Sequence, residues 1–170
     1  MCDPTPTRRS PLLTGVWLSL FCLLCTACAY SLKGTLPPHL KTIAIPLVEN
    51  RTAESGIAET LTDLLTERFL TEGLLGVTAL ENASSRLDAR LLSVTEKVEQ
   101  FTSEDQVTGM RVTLKVDVTF VDLVESRELW KSSFSEWGTY DPGSETRDDA
   151  IGRAVDKLVL SINQKMLADW

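Results

Sequence analysis

Four cysteines and one histidine hold most of the nucleophilic and metal-ligating chemistry open to this sequence. The cysteines are Cys2, Cys22, Cys25 and Cys28, and the histidine is His39. A His-cluster metal site needs more than one imidazole, and a His-based triad would have to use His39. No second ligand-type residue lies near His39 in sequence, so it reads as a surface or satisfied residue. No G-x-S-x-G, H-E-x-x-H, P-loop or Gly-rich dinucleotide turn is present. The carboxylate pairs Glu104–Asp105 and Asp148–Asp149 have no neighbours that suggest a buried site. Nothing supplies a nucleophile with its base, so the sequence argues against an enzyme and implies no cofactor and no metal.

The remaining cysteine chemistry is modification. Arg8 and Arg9 are followed by an apolar run from Leu12 to Cys25 and then by small residues, the layout of a secretory signal peptide. The whole stretch from Ser10 to Leu32 is uncharged and long enough to cross a bilayer, so an uncleaved anchor is the rival reading. An ordinary cleaved, unlipidated signal is a third. Leu24-Cys25-Thr26-Ala27-Cys28 resembles the lipobox of bacterial lipoproteins, where cleavage precedes an acylated cysteine. Thr26, Ala27 and Cys28 fit that pattern; Cys25 stands where leucine is usual. The expected cut lies between Ala27 and Cys28, with Cys28 carrying lipid through its sulfur. Removal of residues 1–27 takes away the other three cysteines, so the mature chain must hold together by its core alone. That chain is also one charge more acidic than the full sequence, which stands at -7.

Composition bounds the rest. The chain has 170 residues, 43% hydrophobic and 24% charged, which suits one globular domain. Lys and Arg number 17 against 24 Asp and Glu, with no basic cluster, so nucleic acid is a poor partner.

The elements follow from periodicity. Residues 28–40 form a lipidated cysteine and tether, stiffened by Pro37-Pro38. Lys41 to Glu49 reads as one strand with two apolar faces, and Pro46 marks an edge or an end. Ser55 to Glu72 is an amphipathic helix stopped by Gly73. Leu75 to Leu80 reads as a short strand, and Leu87 to Phe101 as a long one with imperfect alternation. Val107 to Leu123 alternates strictly. Met110, Val112, Leu114, Val116, Val118 and Phe120 share one face; Arg111, Thr113, Lys115, Asp117 and Thr119 share the other. Glu128 to Tyr140 is a final strand carrying Trp130, Phe134, Trp137 and Tyr140, read as core or sheet packing. Thr146 and Asp149 fit a capping box before a second amphipathic helix that runs to the C-terminus.

The expected fold class is α+β, a small mixed β-sheet of about four strands with two amphipathic helices packed on one face, over residues 41–170. The helices should cover the Met110–Phe120 face. The Arg111 and Lys115 face would stay open, suited to phosphate groups or to a solvated surface. Lys131 and Arg127 are weaker candidates on the same grounds.

Several features now stand in one order. They are the lipobox, Cys28-Ala29-Tyr30-Ser31-Leu32, the run Leu36-Pro37-Pro38-His39-Leu40-Lys41-Thr42-Ile43-Ala44-Ile45-Pro46, Glu49-Asn50-Arg51-Thr52, Met110-Arg111-Val112 and Leu129-Trp130. Together they resemble the LptE family of lipopolysaccharide-assembly outer-membrane lipoproteins. The resemblance implies a compact domain that partners and plugs an LptD-like β-barrel translocon and contacts lipopolysaccharide through basic residues. It implies an outer-membrane location facing the periplasm, for which Ala29 is permissive. Only Cys28 transfers by position, as the lipid site. An adaptor or pilot lipoprotein for another outer-membrane complex, such as a secretin, is the alternative.

Overall fold

The structure is a computed structural model, and it describes residues 37–101 and 107–168. The expected signal peptide, Ala27, Cys28, the first part of the tether and Glu104–Asp105 lie outside the described residues.

The chain enters the sheet as β1 (Thr42–Ala44) and resumes as β2 (Glu49–Asn50). The single strand expected over 41–49 is therefore two. Pro46 has no N–H to offer a ladder, and the chain breaks around it. Both pieces still run parallel to the same long strand, with Ile43 opposite Ser85 and Glu49 opposite Arg90. Ile43, Ala44 and Val48 are buried, whereas Leu47 is 65% exposed.

Helix α1 (Ile57–Glu72) buries Ile57, Ala58, Leu61, Leu65 and Phe69, the face that the sequence spacing marks. It starts after Gly56 at φ 82 and ends at Gly73 at φ 65, whose N–H donates to the Phe69 carbonyl at 3.1 Å. That left-handed cap is cheap only for glycine. Strand β3 (Gly76–Val77) then pairs parallel with β1. A 3-10 turn follows at Leu80–Asn82.

Strands β4 (Ser85–Phe101), β5 (Val107–Asp122) and β6 (Arg127–Tyr140) form an antiparallel meander. The sheet order is β3-β1-β4-β5-β6, with β2 alongside β4. Among the described residues the sheet thus has six strands where about four were expected, because two of the parallel pieces are only two residues long. A register shift between Leu91 and Ser93 explains the imperfect alternation of β4: Leu92 is an extra residue in the ladder.

Helix α2 (Arg147–Ala168) begins at a capping box. Thr146 N–H and hydroxyl donate to Asp149 Oδ2 at 2.9 and 2.7 Å, and Asp149 N–H returns to Thr146 Oγ1 at 3.3 Å. Both helices pack on the face holding Val112, Leu114, Val116, Val118 and Phe120, all fully buried in one cluster with Leu61, Phe69, Leu158 and Ile162. The helices also share a polar clasp at their starts. Arg147 bonds Glu54 at 2.7 and 3.2 Å and Glu96 at 3.3 Å. The hydrogen bonds to Glu54 hold the Arg147 guanidinium above its ordinary pKa.

Candidate functional site

The face of the meander that neither helix covers is where the polar residues gather, as the alternation of β5 requires. Arg111 and Lys115 both lie on it, four residues apart on β5. The structure gives them different surroundings. The Arg111 guanidinium donates to the Glu99 carboxylate and lies 4.1 Å from the centre of the Trp137 ring. Lys157, from α2, sits 4.0 Å from the same ring. One indole thus serves two cations, and Arg111 is committed to packing. Lys115 is exposed, and no hydrogen bond or ion pair engages its ammonium among the described residues.

Lys97 and Lys131 are exposed and unpaired in the same way. Lys97 is opposite Arg111 in the register, and Lys131 is opposite Thr119, four residues along β5 from Lys115. The open face therefore carries one lysine on each strand of the meander, each displaced from the next by roughly 13 Å along the strand direction, taking about 3.3 Å per strand residue. Lys97 has no special signal in sequence; only the β4–β5 register puts it in line. Arg127 pairs with Glu125 at 2.8 Å and stands at the β5–β6 turn.

Near Lys131 the face dips into a groove of about 460 Å³ between β2 and the meander. Its arginines are already neutralised. Arg90 donates to Glu49 at 2.6 Å, and Arg86 to Asp88 at 2.8 Å. Glu49 also accepts from Arg51 at 2.8 Å, and these two bonds hold its carboxyl below the usual range. Asp117 accepts from the Ser133 hydroxyl. Lys131 is the cation of this groove with no partner.

Glu49-Asn50-Arg51-Thr52 is a turn. Asn50 Oδ1 accepts from Thr52 N–H and Thr52 Oγ1 at 2.9 and 2.8 Å, an Asx turn that leads into α1. Trp130, Phe134 and Tyr140 pack against the core, as read from sequence, whereas Trp137, read with them, is 38% exposed on the open face.

His39 has a partner that sequence distance hides. Its Nε2 is 2.6 Å from Oδ2 of Asp122, a fully buried carboxylate. Asp122 Oδ1 accepts from the N–H groups of Val124 and Glu125, both at 2.9 Å. Burial pushes the Asp122 carboxyl up, but the Glu125 amide, His39 and the Val124 amide outweigh it and hold its pKa low. His39, Asp122 and Glu125 each bring a ligand-type atom within 4.8 Å of the others. All three are already engaged, with Glu125 in an ion pair to Arg127. The arrangement is a clasp between the start of the domain and the β5–β6 turn.

A family model described as LptE, lipopolysaccharide-assembly, matches residues 40–166. No curated protein matches the chain. Among solved structures, a hypothetical protein from Chlamydia trachomatis superposes with a TM-score of 0.58 at 10% identity, over 75% of this chain and 95% of the other. A minor lipoprotein from Acinetobacter baumannii reaches 0.50 at 14% identity, over 76% and 92%. The PelC dodecamer protein from Paraburkholderia phytofirmans reaches 0.50 at 13% identity, over 74% and 91%. At such identities the likeness is one of fold.

Proposed function

The chain belongs to the LptE lipopolysaccharide-assembly family, a family of non-enzymatic lipoproteins, and from that premise we propose that it partners and plugs a β-barrel lipopolysaccharide translocon of the outer membrane. In this reading Cys28 carries the lipid, residues 1–27 are removed, and residues 41–170 form the working domain on the periplasmic side. Acyl chains contribute about 0.8 kcal/mol per buried CH₂, so two or more hold the protein firmly at the membrane. The domain then needs a surface that tolerates a polar barrel interior.

The observation that carries the reading is the division of the sheet. One face is buried under both helices, and the other is polar and bears the unpaired Lys97, Lys115 and Lys131. Ammonium groups in such a row suit the phosphates of lipopolysaccharide, because charge-assisted bonds to phosphate are the strong ones. Arg111 supports the row through Trp137 and Glu99 more than it offers itself to a ligand.

The test is purification of tagged full-length protein from outer membranes in mild detergent, with partners identified by mass spectrometry. A roughly equimolar β-barrel of the lipopolysaccharide-transport type is the expected outcome. A secretin or another complex in its place would overturn the assembly role and favour a pilot lipoprotein.

A further inference from the structure

Among the described residues β6 ends the sheet, so one side of its backbone faces no other described strand. The half of that edge nearer its C-terminus is closed by α2. Lys157 Nζ donates to the Trp137 carbonyl at 2.8 Å, Arg153 donates to the Thr139 carbonyl, and Ser161 Oγ bonds Glu136 at 2.6 Å. These bonds fix the phase of the strand. The carbonyls of residues 137 and 139 point outward, and pairing with β5 runs without a shift from Trp130 to Tyr140. By the two-residue repeat, the outward amides and carbonyls of the earlier half belong to Lys131, Ser133 and Ser135. All three residues are exposed, and among the described residues nothing bonds their outward main-chain groups.

We propose that Lys131–Ser135 of β6 accepts one extended, acidic segment of the barrel partner as an added strand. The inference rests on the partnership proposed above and names its contact. Main-chain groups in this row would pair with any extended chain; the side chains select which. Lys131 stands on the open face of β6 itself, and Lys115 stands on β5 directly opposite Ser135, so both unpaired ammonium groups lie on the face beside which an added strand would run. A segment with carboxylates at alternate positions complements them. A second copy of this chain would bring both lysines of each copy to one seam. Edge lysines discourage that pairing. The α2 side chains set the length of the site, because they occupy the edge from Glu136 onward.

The test is Ser133→Pro in the full-length chain. The Ser133 N–H faces away from β5, so its loss leaves the ladder intact while blocking an added strand. Recovery of the barrel in mild detergent should fall at least about tenfold, a loss of about 1.4 kcal/mol, with thermal melting lowered by no more than the loss of the exposed Ser133–Asp117 hydrogen bond. Wild-type recovery should also fall between about 0.1 M and about 1 M salt, where exposed charges are screened. A variant that keeps the barrel at wild-type level overturns the edge contact while leaving the partnership standing. A wild-type chain that brings down no barrel overturns the partnership itself. Recovery insensitive to salt overturns the acidic occupant. A free wild-type dimer that the proline makes monomeric assigns the edge to a second copy and also overturns the proposal. Should the variant misfold, amide hydrogen exchange in the wild type decides. The amides of Lys131, Ser133 and Ser135 should exchange freely alone and at least about tenfold more slowly in the complex; equal rates overturn the proposal.

Discussion

Gly138 on β6 lies directly under Ala150 of α2: a Cβ at Gly138 would sit 2.0 Å from the Ala150 carbonyl oxygen. The obstacle is backbone, so no side-chain rotation relieves it. Ala150 is itself fully buried at the first turn of α2. Gly138→Ala should therefore lift the helix from the sheet and cost about 1–3 kcal/mol, the usual range for overpacking. Denaturant melts of the two proteins measure it. Equal stability would mean that α2 slides on β6 at no cost.

Acid should weaken the fold through Asp122. Its folded pKa is held below the ordinary aspartate value of 3.8, so its stabilisation is complete above that value. It is lost as pH falls through the folded pKa, when the carboxyl takes a proton. Asp149, held low by the Thr146 hydroxyl and amide, adds a loss of the same sign. Asp122→Asn should lower stability at neutral pH and flatten its fall below pH 4. A variant with the wild-type pH profile would mean that Asp122 does not carry the acid sensitivity. His39→Ala leaves Oδ2 of the buried carboxylate without its partner, and should cost about 1–3 kcal/mol at neutral pH.

The two faces of β5 predict opposite responses to charge. Val112→Asp or Leu114→Asp buries an unpaired carboxylate among fully buried residues and should unfold the domain. Thr95→Asp, on the exposed face of β4, should stay within about 1 kcal/mol of wild type. Circular dichroism melts separate the cases. Normal melting of Val112→Asp would place that face toward solvent.

Cys28→Ala should leave the domain folded and release it from the membrane fraction, since the proposed anchor is acyl chain alone. Fractionation with immunoblotting reads this directly. Wild-type membrane retention would mean that another part of the chain holds it there.

The lysine row predicts a ligand effect distinct from stability. In the isolated protein, with no partner strand on β6, replacing Lys115 and Lys131 together by Glu should weaken lipopolysaccharide binding at least about tenfold. Charge-assisted bonds contribute about 1.5–3 kcal/mol each, so losing even one reaches that factor. Thermal melting should be near wild type, because neither ammonium has a partner to lose. Unchanged binding would move the lipopolysaccharide contact off this face.

The parts legible in the sequence are those whose spacing repeats. β5 alternates strictly, and both helices carry an apolar stripe, so their buried faces follow from pattern alone. Arg111 and Lys115 fall on the open face for the same reason. What Arg111 does there depends on Glu99 across a strand and Trp137 on the next, and periodicity within β5 carries no register between strands. The first strand misled because its apolar residues continue through Pro46, while the hydrogen bonds do not. β4 blurred because Leu92 adds a residue to one side of a ladder whose partner has none to match. His39 and Asp122 are 83 residues apart, beyond any local signal.

If Cys28 moors the chain to a membrane as proposed, the His39–Asp122 clasp lies on the path of any pull on the domain. A protein moored by its N-terminal side is under tension whenever its body is held elsewhere. Force arriving along the chain would meet His39 before any of the described strands, and the clasp would pass it across to the β5–β6 turn. Beyond it stands β1, short but hydrogen-bonded between β3 and β4 and parallel to both. The pull would thus be shared with the longest strands of the sheet, and the first segment would not be peeled away alone.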